Sequence, residues 1–143
     1  MTHLIKSSVN VYILNGTQLL LGMRTGTGWM DGHLCPPGGH VEKDETPTTA
    51  MIREIKEELG AEILPTDLEF LCVAARNNSP YEYVAYEFLL KDSSYEFKNM
   101  EPEKCSELTW VDIHNLPDNI IDHFNIIIQK SLIGNERYLE LGY

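Results

Sequence analysis

The chain reads as an α/β protein, and three observations predict it. A helix with both ends marked runs from Pro47, a residue suited to the first helical position, with Thr46 as N-cap and Gly60 as the stop. Two apolar stretches meet at Asn15-Gly16, the strongest short signal for a β-hairpin. Near the C-terminus, Ile120, Ile121, Phe124, Ile127, Ile128 and Leu132 recur at helical spacing, which predicts an amphipathic helix over 118–133 lying on a sheet. The coarse order is strands, helix, strands, helix. With no repeat, low-complexity tract or linker, residues 1–143 are expected to form a single domain, large enough for a core without staples.

Taken in order, residues 7–14 (SSVNVYIL) and 18–24 (QLLLGMR) are the hairpin strands. The loop from Thr25 to Gly32 holds three glycines and Trp29 and is expected to be mobile. Pro36-Pro37-Gly38-Gly39 makes a rigid turn into glycines, which let the backbone pass close to a ligand. On the helix, Met51, Ile52, Ile55 and Leu59 share one stripe, while Glu54, Glu57 and Glu58 fall at i, i+3 and i+4 beside it. Like charges so placed repel by roughly 0.3 kcal/mol per pair. Such a stripe is either a solvated acidic face or a site for a hard divalent cation, and the spacing alone does not decide.

Beyond the helix, Pro65-Thr66-Asp67 is a turn before a strand around EFLCVAA (69–75). Residues 81–91 (YEYVAYEFLLK) alternate as a further strand, with tyrosines on one side. Asp92 to Asn99 is polar and turn-like, and Trp110 sits in a later strand, expected in the core between sheet and helix. His114 and His123 are expected at the surface or an edge. Residues 134–143 offer a short added strand (RYLEL) or a dimer contact, so monomer and homodimer both stay open.

Composition narrows the partners. A net charge of −11, with eleven dispersed Lys and Arg residues, argues against nucleic acid and anionic membranes. No apolar run approaches a membrane span and no signal-peptide core is present, so a soluble, cytoplasmic protein is expected. Cys35, Cys72 and Cys105 are odd in number and scattered, which excludes a disulfide framework and a zinc site and predicts buried thiols. A polyphosphate ligand would need metal ions to bridge acid to acid.

Gly39, Glu45, Arg53-Glu54-Ile55, Glu57-Glu58 and Gly60 match G-x5-E-x7-R-E-U-x-E-E-x-G-U at every fixed position across residues 39–61, with Ala61 replacing the last bulky aliphatic. The chain resembles the Nudix hydrolase family, whose fold is an α/β/α sandwich with a mixed central sheet. The EPEKC element at 101–105, followed by the Trp110 strand and Leu116-Pro117, resembles the MutT-type branch that cleaves nucleoside triphosphates, including modified ones. The resemblance implies a catalytic set of Arg53, Glu54, Glu57 and Glu58, with Glu101 and Glu103 as loop candidates for a further metal ligand or the general base. It implies Mg²⁺, with Mn²⁺ as a substitute, held by Glu54, Glu57, Glu58 and the Gly39 carbonyl, and an ion pair of Glu45 with Arg53 that braces the loop. It places Arg24 toward substrate phosphates, and Trp29 either stacks on a base or covers the core edge.

The activity so implied is hydrolysis of a nucleoside diphosphate linked to another group, foremost a triphosphate to monophosphate and pyrophosphate. ADP-ribose or nucleotide-sugar cleavage is the alternative. It is weakened because the proline that ADP-ribose enzymes of this family often carry about 15 residues past the box is Arg76 here, and the nearest candidate is Pro80. A non-catalytic nucleotide-sensing module would usually have lost box carboxylates, and this chain keeps all of them.

Overall fold

The computed structural model describes residues 2–143. Its centre is β1 (Lys6–Asn15), whose residues from Ser8 to Leu14 are all buried, as expected for an apolar strand covered on both faces. A two-residue turn at Gly16-Thr17 leads into β2 (Gln18–Arg24), with Asn15 opposite Gln18. Gly16 takes φ +63°, a conformation hairpin turns require, and its N–H donates to Asp92 Oδ1 at 2.9 Å. Two short strands not expected from the sequence follow, β3 (Leu34–Cys35) and β4 (Gly38–His40). Then come α1 (Pro47–Leu59), β5 (Glu69–Asn78), β6 (Tyr81–Lys91), β7 (Cys105–Asp112), α2 (Asp122–Ile127) and β8 (Tyr138–Leu141).

The strands make one sheet in the order β3-β2-β1-β6-β5-β8, with β4 paired to β1 and β7 to β2. The β1–β6 and β5–β8 pairs are parallel and the rest antiparallel, so the sheet is mixed. Alternation along β1 sends Val9, Val11 and Ile13 to a core shared with Met51, Ile55 and Leu59 of α1. Tyr12 and Leu14 join the opposite core with Phe124 and Ile127 of α2. The result is an α/β/α sandwich, as expected. Ala61 is buried in the α1 core, where the packing position was expected to lie.

Several expectations are corrected. The closing helix begins at Asp122 rather than at 118, because Asp118 and Asn119 form a turn and Ile120 bridges to Leu34: Leu34 N–H donates to Asn119 O and Ile121 N–H to Leu34 O. Its second half, Ile128–Ile133, widens, with Gly134 N–H reaching back five residues to Gln129 O. Trp110 is 43% exposed, because α1 packs over β1 and β4 and only Leu108 of β7 reaches the α1 core. The tyrosines of β6 divide: Tyr81 and Tyr83 share one face, while Tyr86 packs toward α1. Only Cys72 is fully buried; Cys35 and Cys105 are half-buried. Among the described residues, no helix is long and apolar enough to cross a membrane.

Candidate active site

The site grows from the two ends of α1. Thr46 Oγ1 accepts the Thr49 N–H at 3.1 Å, capping the first turn, and Gly60 closes the helix in the left-handed region at φ +74°. Arg53 is the brace. Its Nε and Nη2 fork onto Glu45 at 2.7 and 3.0 Å, Nη2 also donates to His40 O at 3.0 Å, and Nη1 reaches Glu54 at 2.9 Å and Glu57 at 3.3 Å. One guanidinium therefore ties loop, strand β4 and helix together, and the fork holds the Glu45 carboxyl below its ordinary range. The ion pair read from the sequence is present.

The carboxylates do not form one uniform cluster. Glu54 and Glu58 lie against one another, each altering the other's titration, and Gly39 sits against Glu54 where a Cβ would meet the carboxylate. Glu58 Oε2 accepts the Gly38 N–H at 3.1 Å. Burial, then the charges of Glu54 and Glu101, push the Glu58 carboxyl up to about 9, and burial also raises Glu54. Glu57 stands apart, its side chain 54% exposed and leaning on Arg53. Among the described residues, no three acidic, imidazole or thiol groups close round one point. Of the loop acids, Glu101 lines the cavity beside Glu58, whereas Glu103 is exposed and outside it, offering only its carbonyl against Gly26. The hydrogen bond from Asn99 Nδ2 to Cys105 O fastens the turn so that the first glutamate, not the second, faces in.

Of these acids, Glu58 and Glu101 line a cavity of about 630 Å³, with Glu54 against Glu58 just behind its wall. Arg24 and Trp29 meet at its rim: Arg24 Nε donates to Trp29 O at 2.8 Å, and the guanidinium lies 4.9 Å over the indole. The loop between them is held by Asp31, which accepts from Thr27 and from Gly28 N–H. Arg76, Tyr83, His123 and Phe124 line the cavity as well. Arg76 is 9% exposed, stacks 4.7 Å over Tyr83 and bonds a ring nitrogen of His123 at 3.1 Å. Burial and the neighbouring guanidinium push His123 down to about 3, so it is neutral. His123, expected at the surface or an edge, is half-buried at the cavity wall, its ring against Phe124. No sequence signal marked Arg76 or His123, which meet from 47 positions apart.

The NUDIX domain profile matches residues 4–129. An RNA pyrophosphohydrolase of Gluconacetobacter diazotrophicus is 27% identical over 137 residues, covering 81% of this chain and 81% of that protein. An ADP-ribose pyrophosphatase of Methanocaldococcus jannaschii is 37% identical over 93 residues, or 64% of this chain and 53% of that one, so the chain matches about half of that relative's length. The fold is similar to the crystal structure of a MutT NUDIX hydrolase from Burkholderia pseudomallei, with a TM-score of 0.79, 26% identity, and 89% and 98% of the two chains covered. The profile spans both the acid-bearing helix and the sheet that floors the cavity, and on that breadth this chain belongs to the Nudix family, as a MutT-like hydrolase of phosphoanhydride bonds.

Proposed function

We propose that the chain hydrolyses nucleoside triphosphates to monophosphate and pyrophosphate with a divalent cation, Mg²⁺ or Mn²⁺. The observation that carries the reading is a single cavity with carboxylates at one end and an arginine among aromatic rings at the other. The donor set fits the cation: Glu54, Glu58 and Glu101 present only oxygen, and burial together with the charges of Glu54 and Glu101 raises the Glu58 carboxyl. Glu54, Glu57 and Glu58 would hold it, with the Gly39 carbonyl within the same turn. Bound there, the cation supplies charge neutralisation and polarises the phosphoryl oxygens.

The chain's own groups do the rest. Arg53 keeps Glu54 and Glu57 in place through its forked contacts, as a positioning residue. Arg24, fixed to the Trp29 carbonyl, forks onto phosphate oxygens at the rim. Glu101 accepts a proton from the attacking water as its oxygen bonds to phosphorus and the bridging P–O bond breaks, releasing pyrophosphate. Trp29 covers the substrate from the rim.

The test is product analysis on common and oxidised nucleoside triphosphates, ADP-ribose and a nucleotide sugar, with Mg²⁺ and with EDTA. Monophosphate plus pyrophosphate, abolished by EDTA, is the expected result. Cleavage of ADP-ribose alone would favour the second reading, which the Methanocaldococcus relative supports. Binding unaffected by EDTA, with no product, would favour a sensing module.

A further inference from the structure

Arg76 is a charged side chain more than nine-tenths buried, facing the cavity, with most of its hydrogen-bonding capacity unspent. Of the five N–H donors a guanidinium carries, only Nη1 finds a protein acceptor, and that acceptor is the neutral His123. Among the described residues, no carboxylate pairs with it. Glu87 lies near, at 1% exposure, but one of its oxygens has no partner, and burial pushes its carboxyl up to about 8. A buried guanidinium with unspent donors on a cavity wall is placed to take acceptors from a ligand.

The acceptors it would meet are not the phosphates. The acids sit over β4, and from β4 the sheet steps through β1 and β6 to β5, which carries Arg76. Three spacings of ~4.8 Å separate those strands by roughly 14 Å, and alternation along β5 turns Arg76 with Ala74 to the α2 side of the sheet, away from the side that α1 covers. A nucleotide whose phosphates lie at Glu54 and Glu58 brings its base to Arg76, where Tyr83, His123 and Phe124 supply flat apolar faces.

The base is selected by what the fork can read. Among the four common bases, only guanine presents two adjacent acceptors, O6 and N7, on one edge, the pairing to which arginine is best matched. Adenine sets an amine beside N7, turning hydrogens toward the guanidinium, and cytosine also presents an amine. We propose that Arg76 is a specificity-determining residue that reads the O6/N7 edge of guanine, so that the enzyme prefers guanine nucleotides unoxidised at C8. This rests on the reading of the cavity as a nucleotide site given above.

The test edits the base instead of the protein. Wild-type kcat/KM is measured for GTP, ITP, ATP, 7-deaza-GTP and 8-oxo-GTP, with GDP-glucose and ADP-glucose alongside. GTP and ITP, which share O6 and N7, are expected to be equal. ATP, 7-deaza-GTP, which lacks the N7 acceptor, and 8-oxo-GTP, whose N7 bears a hydrogen, are expected to fall by roughly 10- to 100-fold, mainly through KM. Arg76→Gln is expected to bring the GTP/ATP ratio of kcat/KM close to one. Equal use of GTP and 7-deaza-GTP overturns the proposal, as does an Arg76→Gln variant that loses every base alike. Cleavage confined to the sugars with GDP-glucose preferred keeps this inference and rejects the triphosphate reading. Cleavage of ATP but of no guanine nucleotide rejects this inference and keeps the triphosphate reading, and no cleavage of any nucleotide rejects both.

Discussion

Glu57 is the box glutamate with the least protein around it, touching only Arg53 and otherwise facing solvent. Its conservation of shape on Glu57→Gln should leave folding intact while removing a charge from the acidic end. We expect a loss in kcat of at least about 100-fold with an unchanged urea midpoint; near-normal turnover would remove Glu57 from the site. The same side chain shows why part of the site was legible. Glu54, Glu57, Glu58 and the Arg53–Glu45 brace lie within one helix and its leading loop, so spacing alone sets their geometry. Arg76 and His123 lie on β5 and α2, and only the tertiary fold brings them within 3.1 Å. A lone arginine at a strand end carries no periodic signal, and a histidine on a helix edge reads as solvated until the helix is docked.

At the scale of elements, the C-terminal end of α1 organises the loop that bears Glu101. Lys98 N–H donates to Leu59 O at 2.9 Å and Met100 N–H to Glu58 O at 3.0 Å, so the loop satisfies carbonyls the helix leaves open. Gly60 stands between them in the left-handed region, and a Cβ there would lie 3.2 Å from the Met100 sulfur. Gly60→Ala is expected to lower unfolding free energy by about 1 kcal/mol, read by urea titration. It should also reduce kcat by displacing Glu101; an unchanged kcat would show that the loop holds its position without the helix end. Both caps of α1 were readable because they are local. The start of α2 was not, since Ile120 and Ile121 fit a helical stripe but are claimed by pairing with Leu34. Trp110 was misplaced because its burial depends on how far α1 extends across the sheet.

Across the whole molecule, two buried titrating groups oppose one another. Glu87 has its carboxyl raised to about 8 by burial, so between its ordinary 4.5 and 8 the folded chain keeps a proton the unfolded chain loses, and stability falls as pH rises. His123 is lowered from 6.5 to about 3, so across that window the unfolded chain takes up the proton, and stability falls as pH drops. The two slopes cancel between 4.5 and 6.5. For these two groups together, denaturant titrations should show a plateau there and a decline on either side. Glu87→Gln should abolish the alkaline decline, and a decline that persists would assign it elsewhere. The mixed sheet itself was legible only through the resemblance, because strand order depends on crossovers that no local pattern encodes. The exposure of the two tryptophans has an optical consequence. Trp29 stands at the cavity rim under Arg24, while Trp110 lies in a separate cleft beside Tyr95 and Phe97. Intrinsic emission therefore divides into a component that ligand entry perturbs and an internal reference that it leaves alone, so occupancy can be followed by fluorescence without any attached label.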